Sequence, residues 1–525
     1  MASRSSLFAV GTTARLLARL DTAVNRLYGS RYNPLYRSGT VTVALLILLL
    51  VTGLYLLLFY RIGTPYESVA RMTGQIWAGR WIRTLHRFAG DAAVVAATVH
   101  AIRMFAQRRS WGRRTMPWVT GIALVALVMV CGWTGYVMVW DTFGYILAVE
   151  GARLLDLLPL FSEPLGRAFA GERAIPGAFF FLNLFLHIAL PIGMGIVLLA
   201  HVSRVARPVL LPVKGLMWWG TALLSVVSLA FPVGLAPRAD PLQLPASIPV
   251  DVFYAFWLPA ARAMPAGVTA TAAVVILGLL LLVPWLTKPA PDQLLPASVV
   301  NERLCTGCEQ CAEDCPYEAI TMIRRSDDRP TLVAHVDPAR CVSCGICAGS
   351  CAPMGVGPVG RTGRDQLTLA RSFMLQQTPG ASDVVVVACA RAAGGAARSG
   401  VFEGAPVYPI PCAGSLHSSV IELLVRGGAG GVLLLTCPKE DCWNREGVTW
   451  VEQRLFHERE AELQARVDRR RVELHHVSLG DTMLARRILA DFRARVAALE
   501  RARGEDDIDL LRLCDMVAVT DESVA

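Results

Sequence analysis

Charged residues are scarce in this 525-residue chain: Asp, Glu, Lys and Arg make up 18% of it, against roughly 25% in ordinary soluble domains. A chain so poor in charge and 54% hydrophobic is neither disordered nor a purely soluble enzyme. Acids are scarcest at the front, where Arg4, Arg15, Arg19, Arg26, Arg31 and Arg37 face Asp21 alone within residues 1–39. A dinucleotide fingerprint is missing as well. The run GGAGG at 427–431 precedes a strand-like stretch, whereas a nicotinamide or flavin loop follows one. The first apolar stretch is full length and lies far from the start, so a cleavable signal peptide is not expected and the stretch should stay as an anchor. The 14 cysteines are too few for a small disulfide scaffold and too clustered for scattered core residues, which points to metal clusters.

What is present divides into two halves. Six apolar stretches approach the length of about 20 residues needed to cross a hydrocarbon core: Thr40 to Tyr60, Leu85 to Phe105, Met116 to Trp140, Ala178 to Val205, Met217 to Ala236 and Gly267 to Leu286. Arginines collect before the first, between the second and third (Arg103, Arg108, Arg109, Arg113, Arg114), and between the fourth and fifth (Arg204, Arg207, with Lys214). By the positive-inside bias the N-terminus and everything after Leu286 are then cytoplasmic. The net charge of +9 is mainly a topology signal, so no nucleic-acid partner is expected. The reading is a multi-pass protein of a bacterial cytoplasmic (inner) membrane, surrounded by lipid. Its expected divisions are an N-terminal segment 1–39, a membrane domain 40–286, a Pro-rich linker 287–297, soluble domains 298–356 and 383–503, and a tail 504–525.

The membrane half holds four histidines, His86 and His100 in the second stretch and His187 and His201 in the fourth. On a helix, 14 residues span about 21 Å and fall about 40° short of four turns, so both members of a pair share a face near opposite leaflets. Ionisable residues within a span are functional candidates by default, and an imidazole is a haem ligand. Two such helices can hold two bis-histidine b haems, His86 with His187 and His100 with His201. Gly39 and Gly53, and Gly121 and Gly135, repeat the spacing on the first and third stretches, where a missing side chain admits a flat macrocycle. Arg83, Arg87 and Arg103 lie beside the histidines as candidate propionate partners.

VTGLYLLLFY in the first stretch, RTLHRFAG with His100 in the second, GWTGYVMVWDTFGY from Gly132 in the third and HIALP in the fourth make residues 31 to about 286 resemble the cytochrome b of quinol:cytochrome c complexes and its photosynthetic relatives. The resemblance implies a six-helix di-haem bundle, a quinone or quinol ligand and a homodimer, with the first histidines at the outer haem and the second at the inner. Two departures are visible. The family's Gly-Tyr-x-Leu-Pro-Trp loses its proline in Gly135-Tyr-Val-Met-Val-Trp140, and its outer-face glutamate motif is replaced around Pro249-Val-Asp-Val-Phe-Tyr254. An outer quinol site would then use Trp140, Asp141 and Asp251.

Cys305, Cys308, Cys311 and Cys315, followed by Pro316, form C-x2-C-x2-C-x3-C, and Cys341, Cys344, Cys347 and Cys351 repeat it. In such a pair three thiolates of each run meet on one 4Fe-4S cube and the fourth reaches the other. One set is therefore Cys305, Cys308, Cys311 and Cys351; the second is Cys341, Cys344, Cys347 and Cys315. Residues 298–356 resemble bacterial two-cluster ferredoxins, which implies a ferredoxin-like α+β domain. Further on, VVVVAC, VYPIPC and VLLLTC end in Cys389, Cys412 and Cys437. Separated by helical segments, they read as an α/β domain with a parallel sheet whose ligand edge lies beyond the strand ends. Cys442 can complete a set of four, suited to a 2Fe-2S cluster or a zinc ion. With CPKEDCWNREG and Cys412-Ala-Gly-Ser, residues 383–500 resemble the iron-sulfur delta subunit of methyl-viologen-reducing hydrogenase. That implies the 2Fe-2S cluster and a cytosolic hydrogenase-like or heterodisulfide-reductase-like partner. Cys131 and Cys514 read as inert thiols, His335, His417, His457, His475 and His476 show no ligand pattern, and the Arg/Glu-rich stretch from Glu452 to Arg503 reads as a solvated helical face.

The order of sites along the chain suggests a membrane electron-transfer subunit that joins a cytosolic oxidoreductase to the quinone pool. Two alternatives use the same parts: quinol oxidation with electrons sent inward, and a redox-sensing membrane anchor.

Overall fold

A computed structural model describes residues 4–520 other than 159–163, 170–174, 176, 243–250, 291–294, 328, 394–400, 403 and 458, with residues 4–11, 168 and 503–520 described by backbone alone. Part of the expected linker, Pro249 and Val250 of the outer-face motif, and the Cys514 side chain fall outside the described residues. The chain forms two units, Met1–Ala14 with Pro34–Pro289, and Arg15–Asn33 with Ala290–Ala525.

The helices of the first unit follow apolar length. They are α1 (Arg4–Tyr28, which runs from this unit into the other), α2 (Ser38–Phe59), α3 (Pro65–Gly74), α4 (Trp81–Ala106), α5 (Thr115–Val139), α6 (Thr142–Leu155), α7 (Gly177–Ser203), α8 (Lys214–Ala230), α9 (Leu258–Ala263) and α10 (Ala266–Leu286). Among the described residues five helical stretches are long and apolar enough to cross a membrane: Ser38–Phe59, Ile76–Ala106, Gly112–Val139, Gly177–Ser203 and Ala266–Leu286. They coincide with five of the six expected spans. The remaining one, expected from Met217 to Ala236, is α8, only 17 residues long and so about 25 Å in rise. It stops at Ala230 because Phe231 precedes Pro232, and the residue before a proline is pushed out of helical backbone. Helix α2 packs along α4, and α5 along α7.

The second unit opens with a two-fold repeat. Strand β1 (Ser298–Val300), α11 (Gln310–Glu313) and β2 (Ile320–Arg324) are echoed by β3 (Leu332–Val336), α12 (Ile346–Ser350) and β4 (Val356–Pro358). The strands close as antiparallel pairs β1 with β4 and β2 with β3. Backbone handedness repeats too: Gly307, Glu309 and Glu318 in the first half and Ser343, Gly345 and Met354 in the second have positive φ, at equal offsets from equivalent cysteines. Left-handed residues curl each cysteine loop back on itself, at a steric cost for the four that are not glycine.

Helix α13 (Gly363–Gln377), begun by a Thr362/Asp365 capping box, leads to β5 (Val384–Cys389), β6 (Val407–Ile410), α14 (Ser418–Arg426), β7 (Gly431–Thr436), α15 (Gly447–Phe456), β8 (Val472–His476) and α16 (Thr482–Thr520). The sheet order is β6-β5-β7-β8 with every neighbour parallel. Its central strands β5 and β7 read as unbroken apolar runs because both faces are covered; Val384–Ala388 and Val432–Leu435 are fully buried.

Two expectations change here. Residues Glu452 to Arg503 are not one solvated helical face: α15, β8 and α16 divide them, and Arg454 is buried at 1% exposure because acceptors from other loops surround its guanidinium. Residues 15–33 of the expected N-terminal segment group with the second unit, where Arg26 meets Asp481 at 3.5 Å and Thr22 Oγ1 lies 3.5 Å from Ser478 Oγ. A Cβ on Gly480 would lie 2.6 Å from Thr22 Oγ1 and 2.8 Å from the Ala18 carbonyl oxygen.

Leu434 sits without exposure in β7. Leu434→Ala should destabilise this unit by about 2–5 kcal/mol, seen as a lower urea midpoint for loss of the sheet circular dichroism signal in the full chain. An unchanged midpoint would contradict this account of the core.

Candidate functional site

The antiparallel packing of α2 on α4 and of α5 on α7 aligns the glycine and histidine pairs. Cβ atoms on Gly53 and Gly39 would fall 3.2 Å from His86 Cε1 and 2.8 Å from His100 Cε1; on Gly135 and Gly121 they would fall 3.0 Å from His187 Cε1 and 3.3 Å from His201 Cε1. Each imidazole therefore leans on bare backbone. At Gly39 a side chain would force the ring to move.

The residue before each glycine supplies an oxygen, a signal that the sequence reading passed over: Ser38, Thr52, Thr120 and Thr134. Thr52 Oγ1 donates to the Leu48 carbonyl at 2.7 Å, so its lone pairs accept from His86 Nδ1–H at 2.9 Å. Thr120 donates to Met116 O at 2.8 Å and accepts from His201 Nδ1–H at 3.1 Å. Thr134 donates to Cys131 O at 2.7 Å and accepts from His187 Nδ1–H at 2.9 Å. His187 Nδ1 also faces the Cys131 carbonyl at 3.0 Å; a carbonyl can only accept, so this nitrogen carries the proton. Ser38 Oγ, beside Gly39, is buried without a hydrogen-bond partner among the described residues. With Nδ1 protonated, Nε2 is the bare nitrogen that a metal takes.

The His86 and His187 ring centroids lie 6.4 Å apart. That is about twice the sum of a metal–nitrogen bond of roughly 2 Å and the ring's own radius, so one iron fits between them. His100 is within electrostatic reach of His201. The donor set, its tautomers and the open backbone all suit bis-histidine haem. Cys131 Sγ lies 3.7 Å from His187 Nδ1.

The other candidates near this bundle already have partners. Arg83 donates to the carbonyls of Val233 at 2.9 Å and Gly234 at 3.2 Å. Arg103 is buried with its guanidinium 4.7 Å over the Tyr36 ring. Arg87 pairs with Asp91 and, at 2.5 Å, with Asp251, and lies 4.7 Å over the Tyr136 ring. Asp251 Oδ1 accepts from the N–H groups of Phe253 at 2.9 Å, Tyr254 at 2.6 Å and Ala255 at 3.2 Å, while Oδ2 accepts from Tyr136. Burial pushes this carboxyl up, but the bonds from Tyr136 and the backbone, with Arg87, hold it below the ordinary carboxylate range. Trp140, in left-handed backbone at φ 56°, ends α5 and meets Phe180 edge-on at 4.7 Å. Asp141 caps α6 by accepting from Gly144 N–H at 2.9 Å.

In the second unit the cysteines collect in sets. Cys305, Cys308, Cys311 and Cys351 line one small pocket; Cys315, Cys341, Cys344 and Cys347 line another. Cys315 and Cys351 thus cross over. The N–H of Ala319 points at Cys315 Sγ from 3.3 Å and that of Gly355 at Cys351 Sγ from 3.2 Å, which suits anionic sulfur. Four-thiol cavities with inward N–H donors fit iron-sulfur cubes.

Cys389 ends β5, Cys412 follows β6, Cys437 follows β7, and Cys442 returns after a single helical turn; all four are buried. A hydrogen bond from Cys437 pulls the Cys389 thiol down, against burial and with help from the N–H groups of Arg391 and Ala413. Cys442 is lowered first by Cys437 and then, against burial, by the N–H groups of Val448 and Asn444. The same bonds push Cys437 up, and burial pushes Cys412 up, so the four thiols share their protons between neighbours; four buried sulfurs gathered in this way fit a metal centre. Of the histidines without a ligand pattern, buried His417 accepts from Ser419 N–H at Nδ1, so its Nε2–H donates to the Cys351 carbonyl at 3.2 Å and steadies that loop.

Three family models match the chain: cytochrome b/b6/petB over residues 24–208, a 4Fe-4S dicluster domain over 304–355, and the delta subunit of methyl-viologen-reducing hydrogenase over 380–500. The chain is a fusion of these three parts, and with its apolar helices it is a multi-pass membrane protein that carries a cytochrome b segment. Among curated relatives, the menaquinol:cytochrome c reductase cytochrome b subunit of Geobacillus thermodenitrificans is 25% identical over 179 residues, 33% of this chain and 79% of the relative. Cytochrome b6 of Synechococcus sp. (strain JA-3-3Ab) is 25% identical over 158 residues, 30% of this chain and 74% of the relative. A solved chain of a hyperthermophilic respiratory Complex III aligns at 17% identity with a TM-score of 0.38, covering 48% of this chain and 75% of that one.

Thr134→Val keeps the shape of the side chain and removes the hydroxyl that accepts from His187. Outer-shell partners of metal-bound histidine are worth about 10–100-fold in affinity. A haem-to-protein ratio that falls on dilution in detergent, measured by reduced-minus-oxidised absorbance, is the expected outcome; retention equal to the parent would show that the hydroxyl is dispensable.

Proposed function

We propose that the chain is the membrane-bound electron-transfer subunit connecting a cytosolic hydrogenase-like or heterodisulfide-reductase-like partner to the quinone pool. Two b haems, two 4Fe-4S clusters and one 2Fe-2S cluster are the one-electron carriers that its sites would hold. The observation that carries this reading is the set of four imidazoles, each resting on glycine, three of them with Nδ1 bonded to threonine and Nε2 left for iron. His86 with His187 would hold one haem, and His100 with His201 the other. In the soluble part Cys305, Cys308, Cys311 and Cys351 would hold one cube, Cys315, Cys341, Cys344 and Cys347 the second, and Cys389, Cys412, Cys437 and Cys442 the 2Fe-2S cluster.

The names of the relatives, a menaquinol reductase and a cytochrome b6, support a quinone as the membrane substrate. The delta-subunit match supports a hydrogenase-like partner. We place the chain in a bacterial cytoplasmic membrane with its N-terminus and cysteine domains inside, on the distribution of arginine. The proposed direction runs from the cytosolic partner to quinone. An electron moved outward is assisted by the membrane potential, worth about 2.3 kcal/mol per 100 mV. Redox titration of each centre in native membranes should place the cubes at or below the haems in potential; cubes far above the haems would overturn this direction.

Reversed flow would need a proton acceptor near the outer haem, and Asp251 is the candidate. Its carboxyl is held low by Tyr136, three N–H groups and Arg87. A group with a lowered folded pKa contributes stability that is full above the unfolded value of about 3.9 and lost only as pH falls through the folded value. Asp251 therefore stays charged across neutral pH and is a poor base there. In Asp251→Asn the pH midpoint of quinol-driven haem reduction near neutrality should stay where it is in the parent. A displaced midpoint would restore Asp251 as the proton acceptor and favour quinol oxidation.

A further inference from the structure

A fully buried cation of the second unit lies between cysteine loops. Arg454, at 1% exposure, donates from Nη1 to Ser350 Oγ at 2.8 Å and from Nη2 to Gly414 O at 2.6 Å, with Asp314 Oδ2 3.6 Å from Nη1. Each partner adjoins a cysteine on a different loop: Asp314 precedes Cys315, Ser350 precedes Cys351, and Gly414 follows Cys412 by two. Three loops from two domains are tied to one guanidinium.

Close approach makes the tie possible. A Cβ on Gly349 would stand 2.6 Å from Arg454 Nη2, and one on Gly345 would stand 2.9 Å from Ser415 Cβ. Gly345 follows Cys344, and Ser415 lies three residues past Cys412, so the loop of the Cys341 set abuts the loop of the parallel-sheet set. The sulfurs of Cys412 and Cys347 both lie within electrostatic reach of Arg454, and Cys344 within reach of Cys412.

Asp314 divides its charge between two cations: it also pairs with Arg459 at 2.6 Å, and Arg459 in turn reaches the exposed Glu313 at 3.8 Å. Arg454 Nε is buried with no hydrogen-bond partner among the described residues. The fixed guanidinium charge of Arg454 thus stands beside two thiolate sets, away from water, where screening is weak.

We propose that Arg454 is a positioning residue that joins the Cys315/Cys341/Cys344/Cys347 set to the Cys389/Cys412/Cys437/Cys442 set as one electron-exchange pair, and that its charge favours the reduced form of both. The inference rests on the reading that these sets hold iron-sulfur clusters. An electron passing between them leaves the donor set oxidised by one and the acceptor set reduced by one. The added negative charge stays near the same fixed cation in both states, so the exchange is not penalised by burial of new charge at one end.

The test uses the full chain in detergent, with iron-sulfur EPR signals followed through a redox titration of the parent, Arg454→Met, Arg454→Lys and Asp314→Asn. Arg454→Met should lower the reduced-to-oxidised ratio of both sets about tenfold at fixed poise, which is about 59 mV for one electron, and move the Cys305 set less. Arg454→Lys should restore most of that ratio. Asp314→Asn, which removes the compensating negative charge, should shift the ratio upward. Opposite signs for Asp314→Asn and Arg454→Met support the inference; equal signs, or no shift in either, overturn it. If Arg454→Met does not load its clusters, the upward shift in Asp314→Asn with Arg454→Lys close to the parent decides in its place, and no shift in Asp314→Asn overturns it. Absence of iron-sulfur signals from the parent chain would instead refute the cluster reading beneath it.

Discussion

An imidazole in a lipid-solvated bundle has two nitrogens and no water, so its chemistry depends on which nitrogen is already bonded. Here the hydrogen bond from Nδ1–H to a threonine hydroxyl makes that choice at His86, His187 and His201. The hydroxyl accepts here and does not donate, because its own proton is committed to a backbone carbonyl three or four residues back. Next to each threonine a glycine lets the ring approach closely enough for the bond to form. Helix packing, ring orientation and metal-binding capacity in the membrane half all follow from this pairing of a small residue with a hydroxyl. At these three histidines the buried ring N–H and the threonine hydroxyl are both satisfied, as the absence of water in a bilayer requires.

Much of this was legible because ligand spacing is local. Fourteen residues between histidines, and between glycines, are a statement about helix faces. The cysteine runs likewise predict which thiols share a cavity, including the exchange of Cys315 and Cys351. The hydroxyls at positions 38, 52, 120 and 134 were equally visible as a repeated Ser/Thr-Gly step. Such a step carries little signal by itself, because threonine is common in apolar helices, where it bonds its own backbone. Helix α8 ends short of the apolar run, since Pro232 interrupts a stretch that hydropathy alone extends to Ala236.

Arg454 was the least legible. It stands in a stretch of alternating arginine and glutamate, a pattern that ordinarily marks a solvated helix, and its partners come from positions 314, 350 and 414. Long-range burial of a single charge leaves no local trace. Removing one partner of a buried pair typically costs roughly 3–5 kcal/mol, so such a residue constrains the domain interface heavily. The N-terminal helix is a similar case: its contacts with Ser478 and Asp481 join residues more than 450 positions apart.

The exchange of Cys315 and Cys351 between the two halves of the dicluster repeat has a consequence for assembly. Neither half contains a complete four-thiol wall, since the last position of each cavity is supplied by the other half. A nascent chain released only to residue 340 presents one incomplete cradle, and the second half alone would present another. Maturation is therefore mutual. Both cradles become whole only once the whole repeat has emerged and closed through β1 and β4, which ties their completion to the last strand synthesised.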